Sequence, residues 1–272
     1  MCAPDRRRAH HSSLLAFLIA GLIVFAAACA DSAGDNPPME GFNMEGSDAR
    51  AVAIADSVME ALGGRAAWDA TRYLSWSFGA DDHVWDKHTG AMRYQRDSVV
   101  VIMDVEDRSG RVWVDGQEVS ADSTREDLLA RAYRAWVNSG YWFLMPYKLK
   151  DSGVTLTYLR EDTTDDGRDA HVLHLEFDNV GLTPNNMYDV YVDMESMLVT
   201  QWSHYRERSD EQPRFTRPMG NWQRYGRIML SDYRGEGGGG QPFIIPNVGA
   251  YDDVLPVVFS SPEPIDMAML DA

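Results

Sequence analysis

Three observations predict an α+β, mainly β fold for this 272-residue chain. Short runs with apolar residues at every second position recur from Thr71 to Tyr233 and mark half-buried strands. Turn signals separate these runs by a few residues, which makes neighbouring strands antiparallel. Two stretches carry helical spacing, too few to tile a flat sheet of about ten strands. A sheet that is apolar on one face must cover that face. The expected architecture is therefore a single curled antiparallel sheet, a half-barrel of about ten strands, with two helices, one across the concave face.

The first helix is expected over 48–62, where Val52, Ala55, Val58, Met59 and Leu62 recur at helical spacing. Ser47 or Asp48 can cap its start and Gly63-Gly64 ends it. From Thr71 the period changes to two, with Leu74, Trp76 and Phe78 on one face. Strands follow at 82–87, 91–95, 98–105 and 111–114, separated by His88-Thr89-Gly90, Arg108-Ser109-Gly110 and, after the last, Asp115-Gly116. A second helix is expected over 123–138. Ser123 and Glu126 have capping-box spacing, Leu128, Leu129, Ala132, Tyr133, Trp136 and Val137 form the stripe, and Gly140 is read as the stop. Further strands are expected at 154–160, 169–177, 187–193, 198–206 and 222–233, with Asp165-Asp166-Gly167 as a hairpin turn. Leu173, Leu175 and Phe177 share a face. Gly235 to Gly240 reads as a flexible link, and the Pro-rich tail after it as extended edge or loop.

The N-terminus gives an address. Arg6-Arg7-Arg8 precedes an apolar run from Leu14 to Ala28, the pattern of a secretory signal peptide over residues 1–28. Its 15 residues are too few to span a bilayer comfortably as a helix. Ala26-Ala27-Ala28-Cys29 resembles the lipobox of bacterial lipoproteins, with Ala26 in place of the usual Leu. That resemblance implies acylation of Cys29 as the mature N-terminus; ordinary signal cleavage is the alternative. The chain has two cysteines. Cys2 leaves with the signal, so Cys29 cannot form an internal disulfide. Residues 29–47 would then be a lipidated Cys and a flexible tether, small, acidic and broken by Pro37-Pro38. Residues 48–272 would be the half-barrel domain. The expected location is the bacterial envelope, anchored in the outer membrane on its periplasmic or surface face.

Removing residues 1–28 takes away three Arg and Asp5, leaving 22 basic against 41 acidic side chains and a net charge of −19. This excludes the usual electrostatics of nucleic-acid binding and argues against broad attraction to anionic headgroups. Catalytic signatures are scarce. Asp82, Asp86 and His88 share a strand face, with His83 on the other, and could hold zinc; a hydrophilic strand running into a turn accounts for them as well, and no metal is assigned. His171 and His174 face opposite ways. No nucleophile elbow, His-Glu-x-x-His helix or phosphate loop is present. No catalytic residue and no cofactor is assigned.

The chain resembles the LolA/LolB-type lipoprotein-carrier superfamily of bacteria. The residues that carry this are Ala61-Leu62-Gly63-Gly64 followed by Trp68, then Tyr191-Val192-Asp193 with Ser196, Leu198 and Val199, and Ser231-Asp232-Tyr233-Arg234 with Pro246. Thr71-Arg72-Tyr73 with Ser75-Trp76, Trp85-Asp86-Lys87 with Thr89-Gly90, and Met145 to Leu149 look like motifs of a lipoprotein family within that group that has no activity to transfer. The resemblance covers about residues 48–250 and implies an unclosed barrel plugged by helices. A cavity for a lipid or acyl chain is expected, lined by Leu74, Trp76, Phe78, Tyr133, Trp136, Trp142, Phe143, Leu173, Leu175 and Phe177, with Lys148 at the rim. The alternative is a structural or interaction module whose concave face is simply filled and which contacts an envelope protein.

Overall fold

The computed structural model describes residue 1, residues 36–178 and residues 181–271. The expected signal-peptide core, Cys29 and the first part of the tether lie outside the described residues. Among the described residues no helix is long and apolar enough to cross a membrane.

The chain is mainly β, and every strand pair is antiparallel. Helices α1 (Ala49–Ala61) and α2 (Arg65–Ala70) come first. They lead into β1 (Tyr73–Phe78), β2 (Asp81–Asp86), β3 (Ala91–Arg96), β4 (Val99–Asp104), β5 (Gly110–Val114) and β6 (Gln117–Glu118). Helix α3 (Asp122–Leu144) interrupts the series. Then follow β7 (Val154–Thr163), β8 (Asp169–Phe177), β9 (Met187–Asp193), β10 (Val199–Tyr205) and β11 (Phe215–Pro218). The series closes with β12 (Gly220–Tyr225), β13 (Ile228–Glu236), β14 (Pro242–Ile244) and β15 (Gly249–Tyr251).

Among the described residues the strands form not one sheet but three, none closed on itself: β15-β1-β2-β3-β4-β5-β6, β11-β10-β9-β8-β7 and β12-β13-β14. Chain continuity joins them. β11 runs through Pro218 and Met219 into β12, where the Met219 N–H donates to Thr200 O at 2.8 Å. β14 runs through Pro246 toward β15, and Pro246 O accepts from Ser77 N–H at 2.8 Å. Each corner lies at or beside a proline, which can accept from a neighbouring strand but cannot donate to it. The single strand expected over 222–233 is instead the β12–β13 hairpin. Gly226 takes φ 55° at its turn, and a period-two pattern in phase on both sides hides that reversal.

Helix α1 ends as expected, with Gly63 at φ 115° and Gly64 at φ 88°. A Cβ on Gly63 would also lie 2.7 Å from Arg227 O. The expected caps serve other ends. Asp48 makes no side-chain cap bond; it accepts from Tyr158 N–H at 2.8 Å, and Ser47 Oγ accepts from Leu156 N–H at 3.0 Å. These bonds tie the helix start to the edge strand β7. The tether is docked where it is described. Met39 N–H donates to Lys150 O and Asn43 N–H to Val154 O, each at 3.0 Å, and Phe42 enters the core.

Helix α3 is longer than its sequence signals suggest. It runs through Gly140 to Leu144, and its Ser123 and Glu126 form no capping box. Gly140 is a close approach and not a stop: a Cβ there would meet Trp76 Cζ2 at 3.3 Å. The first half of α3 lays Leu128, Leu129, Ala132, Tyr133 and Trp136 on Met92, Tyr94, Val101, Met103 and Val112 of the seven-stranded sheet. Its last turns send Phe143 and Leu144 into the main core, which α1 shares with Leu74, Leu173 and Leu175.

The tail is also built in. Val258, Met267 and Leu270 pack on Val84, on the face of β1–β3 opposite α3. Fully buried Arg93 donates to Val258 O and Ser261 O at 3.0 Å and to Glu263 O at 2.6 Å.

Candidate functional site: an aromatic cavity beside the third helix

Between α3 and the five-stranded sheet lies an open cavity of about 670 Å³, within the ~300–1,000 Å³ typical of small-ligand sites. Period-two alternation on β8, β9, β10 and β11 turns Phe177, Tyr188, His204 and Phe215 toward it, and helical spacing on α3 supplies Tyr133, Trp136, Tyr141 and Trp142. Trp76 and Trp85 close the side of the seven-stranded sheet. Lys148, Asp151, the 181–186 segment, Arg206 and Arg214 complete the lining.

The walls are held by specific bonds. The Trp76 indole N–H donates to Ser139 Oγ at 2.9 Å and the ring stacks on His83 at 4.9 Å. The Trp142 indole N–H donates to Tyr188 Oη at 3.3 Å, and its ring lies 5.7 Å from Trp202 and 5.9 Å from Phe215. Buried Arg234, its guanidinium pushed down to about 9 by desolvation, donates to Trp142 O at 3.4 Å. A cation near the last carbonyls of a helix is favourable. Tyr147 stacks on Trp68 at 4.2 Å; its hydroxyl donates to Met229 O at 2.7 Å and lies 3.1 Å from Leu62 O. It thereby pins the end of α1 to β13.

The wall is neutral apart from its mouth. Burial raises Tyr141 well above the ordinary tyrosine value and raises Tyr188. His204 is lowered, first by burial and then by the nearby Arg214 charge. Neither His204 ring nitrogen has a protein partner.

Five of the ten residues expected to line a cavity do so: Trp76, Tyr133, Trp136, Trp142 and Phe177. Lys148 lines it too, ion-paired to Asp151 at 2.5 Å. Leu74, Phe143, Leu173 and Leu175 do not; they are packed in the main core. The physical reason is α1, which covers that part of the concave face. Phe78 stands behind the wall, edge-on to Trp142 at 6.0 Å and to Phe243 at 5.4 Å. Tyr188, His204 and Phe215 are legible afterwards as in-phase partners of Val190 and Trp202. Arg206 and Arg214 carry no comparable signal, because a hairpin loop brings them to the mouth.

The acidic cluster on β2 is committed elsewhere. Asp82 accepts from Ser77 Oγ at 2.5 Å and Gln95 Nε2 at 3.1 Å. Asp86 pairs with Arg72 at 2.8 Å, and His88 Nε2 lies 2.9 Å from Asp69 O. Among the described residues no group of three or more His, Cys, Asp or Glu could hold a metal ion. On the sheet face away from the cavity, Asp189 accepts from Tyr205 Oη at 2.8 Å and lies 2.6 Å from His174 Nδ1.

The fold and the site together define an open-sheet β protein with an apolar hollow roofed in part by a helix. No family model and no curated protein matches the chain. Among solved structures it is similar to a DUF1329 family protein from Desulfovibrio piger, with a TM-score of 0.40 at 13% identity over 77% of this chain and 97% of that one. It is similar to a protein domain from Vibrio parahaemolyticus described as outer membrane lipoprotein-sorting, with a TM-score of 0.40 at 10% identity over 78% and 96%. It is also similar to a LolA-superfamily protein from Nitrosomonas europaea, with a TM-score of 0.34 at 11% identity over 78% and 97%. The last of these carries the name of the superfamily that the sequence motifs resemble.

Proposed function

We propose that this chain is a membrane-anchored lipoprotein of the bacterial envelope that holds an apolar ligand, a lipid or the acyl part of a lipoprotein, and performs no reaction on it. The observation that carries the reading is the open cavity of about 670 Å³ walled by aromatic rings. Each methylene that leaves water for such a wall is worth about 0.8 kcal/mol. His204, the one histidine of the lining among the described residues, has no partner to orient it as a base.

Titration with a dansylated fatty acid tests binding. Val137 lines the cavity from α3 and is half-buried, so Val137→Trp should place a bulky ring in the hollow and narrow it. The expected result is saturable binding by the wild type, weakened about tenfold or more in Val137→Trp, with the melting temperature nearly unchanged. No saturable binding, together with no lipid carried through purification in native mass spectrometry, would leave a filled structural module.

Anchoring has its own test. A palmitate analogue fed to cells should label the wild type and leave Cys29→Ala unlabelled. Equal labelling of the two would remove the anchor.

A further inference from the structure

The charged groups at the cavity mouth run against the rest of the molecule. The chain carries a net charge of −17, and many of its arginines are paired to carboxylates. Four charged side chains line the cavity: Lys148, Asp151, Arg206 and Arg214. Lys148 and Asp151 neutralise each other at 2.5 Å. Arg206 and Arg214 are exposed, and neither guanidinium forms an ion pair or a hydrogen bond with any described residue.

The loop that carries them is held in place by other groups. Asp210 lies between them in sequence, and its Oδ2 accepts from the backbone N–H of Arg206 and of Glu207, each at 3.0 Å. The Arg214 N–H donates to His204 O at 2.7 Å. Glu207 accepts from Asn185 at 3.2 Å, and Arg208 donates to Phe177 O. These bonds fasten the 206–214 loop to the segment between β8 and β9. Arg206 and Arg214 are thus set at the mouth by backbone bonds while their donors stay unspent. An arginine fork matches a carboxylate or phosphate, and a mouth with two free forks and no free acid selects for negative charge.

Building on the cavity reading above, we propose that the occupant is an anionic amphiphile: its acyl chain lies among the aromatic walls, and its carboxylate or phosphate is bound at the mouth by Arg206 and Arg214. Lys148 takes no part in this, because Asp151 already holds it.

The test uses the full-length chain in phosphatidylcholine vesicles, read by energy transfer from cavity tryptophans to 11-(dansylamino)undecanoic acid or to its uncharged amide. The wild type should bind the acid about tenfold or more tighter than the amide, a ratio in the range of charge-assisted hydrogen bonds. Arg206→Gln with Arg214→Gln should bring the acid down to the affinity of the amide and leave the amide unchanged. Arg111→Gln, at an exposed position paired to Glu118 and outside the cavity lining, should alter neither. Displacement by a lysophosphatidic acid or by an unlabelled fatty acid tells a phosphate headgroup from a carboxylate. Equal wild-type binding of acid and amide, or an equal loss of both in the double variant, would overturn the headgroup site and leave the apolar cavity standing. Absence of saturable binding of either probe would remove the cavity reading and this proposal with it.

Discussion

Arg93→Ala should release the C-terminal tail and cost roughly 3 kcal/mol or more of stability, because several buried hydrogen bonds to a charged donor, about 1.5–3 kcal/mol each at most, are lost together. Arg93 is 1% exposed and no carboxylate faces it. Its Nη atoms reach three tail carbonyls, and its Nε donates to Gln95 Oε1 at 3.1 Å. Gln95 extends the clasp, donating to Ile265 O at 2.8 Å and accepting from Ile265 N–H at 3.0 Å. Burial pushes the guanidinium down to about 10, so it stays charged at neutral pH and needs those carbonyls. Without it, either three buried carbonyls lose a charged donor or the tail leaves the sheet and exposes Val84 and Val258. Urea denaturation should show the loss. Limited proteolysis read by mass spectrometry should show new cleavage within 255–271. Arg93→Lys should recover only part, because a compact ammonium cannot span three carbonyls. Unchanged protection of the tail in Arg93→Ala would refute its role as the clasp.

The second large effect is a pH dependence set by His83. Its ring is fully buried between Trp76 and Tyr94, at 4.9 and 5.6 Å, and neither nitrogen has a partner. Desolvation outweighs the nearby Asp81 and Asp82 and pushes the imidazole down to about 4 from 6.5. The unfolded chain takes up a proton near pH 6.5 that the folded chain refuses until about pH 4. Stability from this group is therefore complete above pH 6.5, declines as pH falls toward 4, and declines no further below it. The total is of order 3 kcal/mol, at about 1.4 kcal/mol per pH unit. His83→Phe keeps an aromatic ring against Trp76 and removes the proton. Denaturation midpoints at pH 7, 5.5 and 4.5 should diverge between wild type and variant as the pH falls. Parallel midpoints would show that His83 is not the acid-sensitive group. The link to the cavity is direct, because Trp76 both stacks on His83 and holds Ser139 of α3.

Much of the fold was legible because its signals are local. The strand faces of β1 and β8, the stripe of α3 and the glycines after α1 follow from side-chain period and backbone sterics. The departures lie where the local pattern admits more than one outcome. Gly140 looks like a stop until Trp76 is seen against it. Residues 222–233 look like one strand until Gly226 is seen to turn. Asp48 and Ser123 look like caps until their hydrogen bonds are counted. At Gly140 and Asp48 a distant partner took the role that the local pattern offered to a neighbour.

The amino-acid order by itself determined the mainly β, antiparallel character of the chain, the place of its long helix and the export pattern at its start, because periodicity and turn chemistry act within a few residues. Tertiary structure alone decided which greasy side chains are entombed and which face the hollow. Leu173 and Phe177 lie on the same face of one strand, yet α1 shares its core with the first while the second borders open space. Alternation states which way a side chain points; only packing states what stands opposite it.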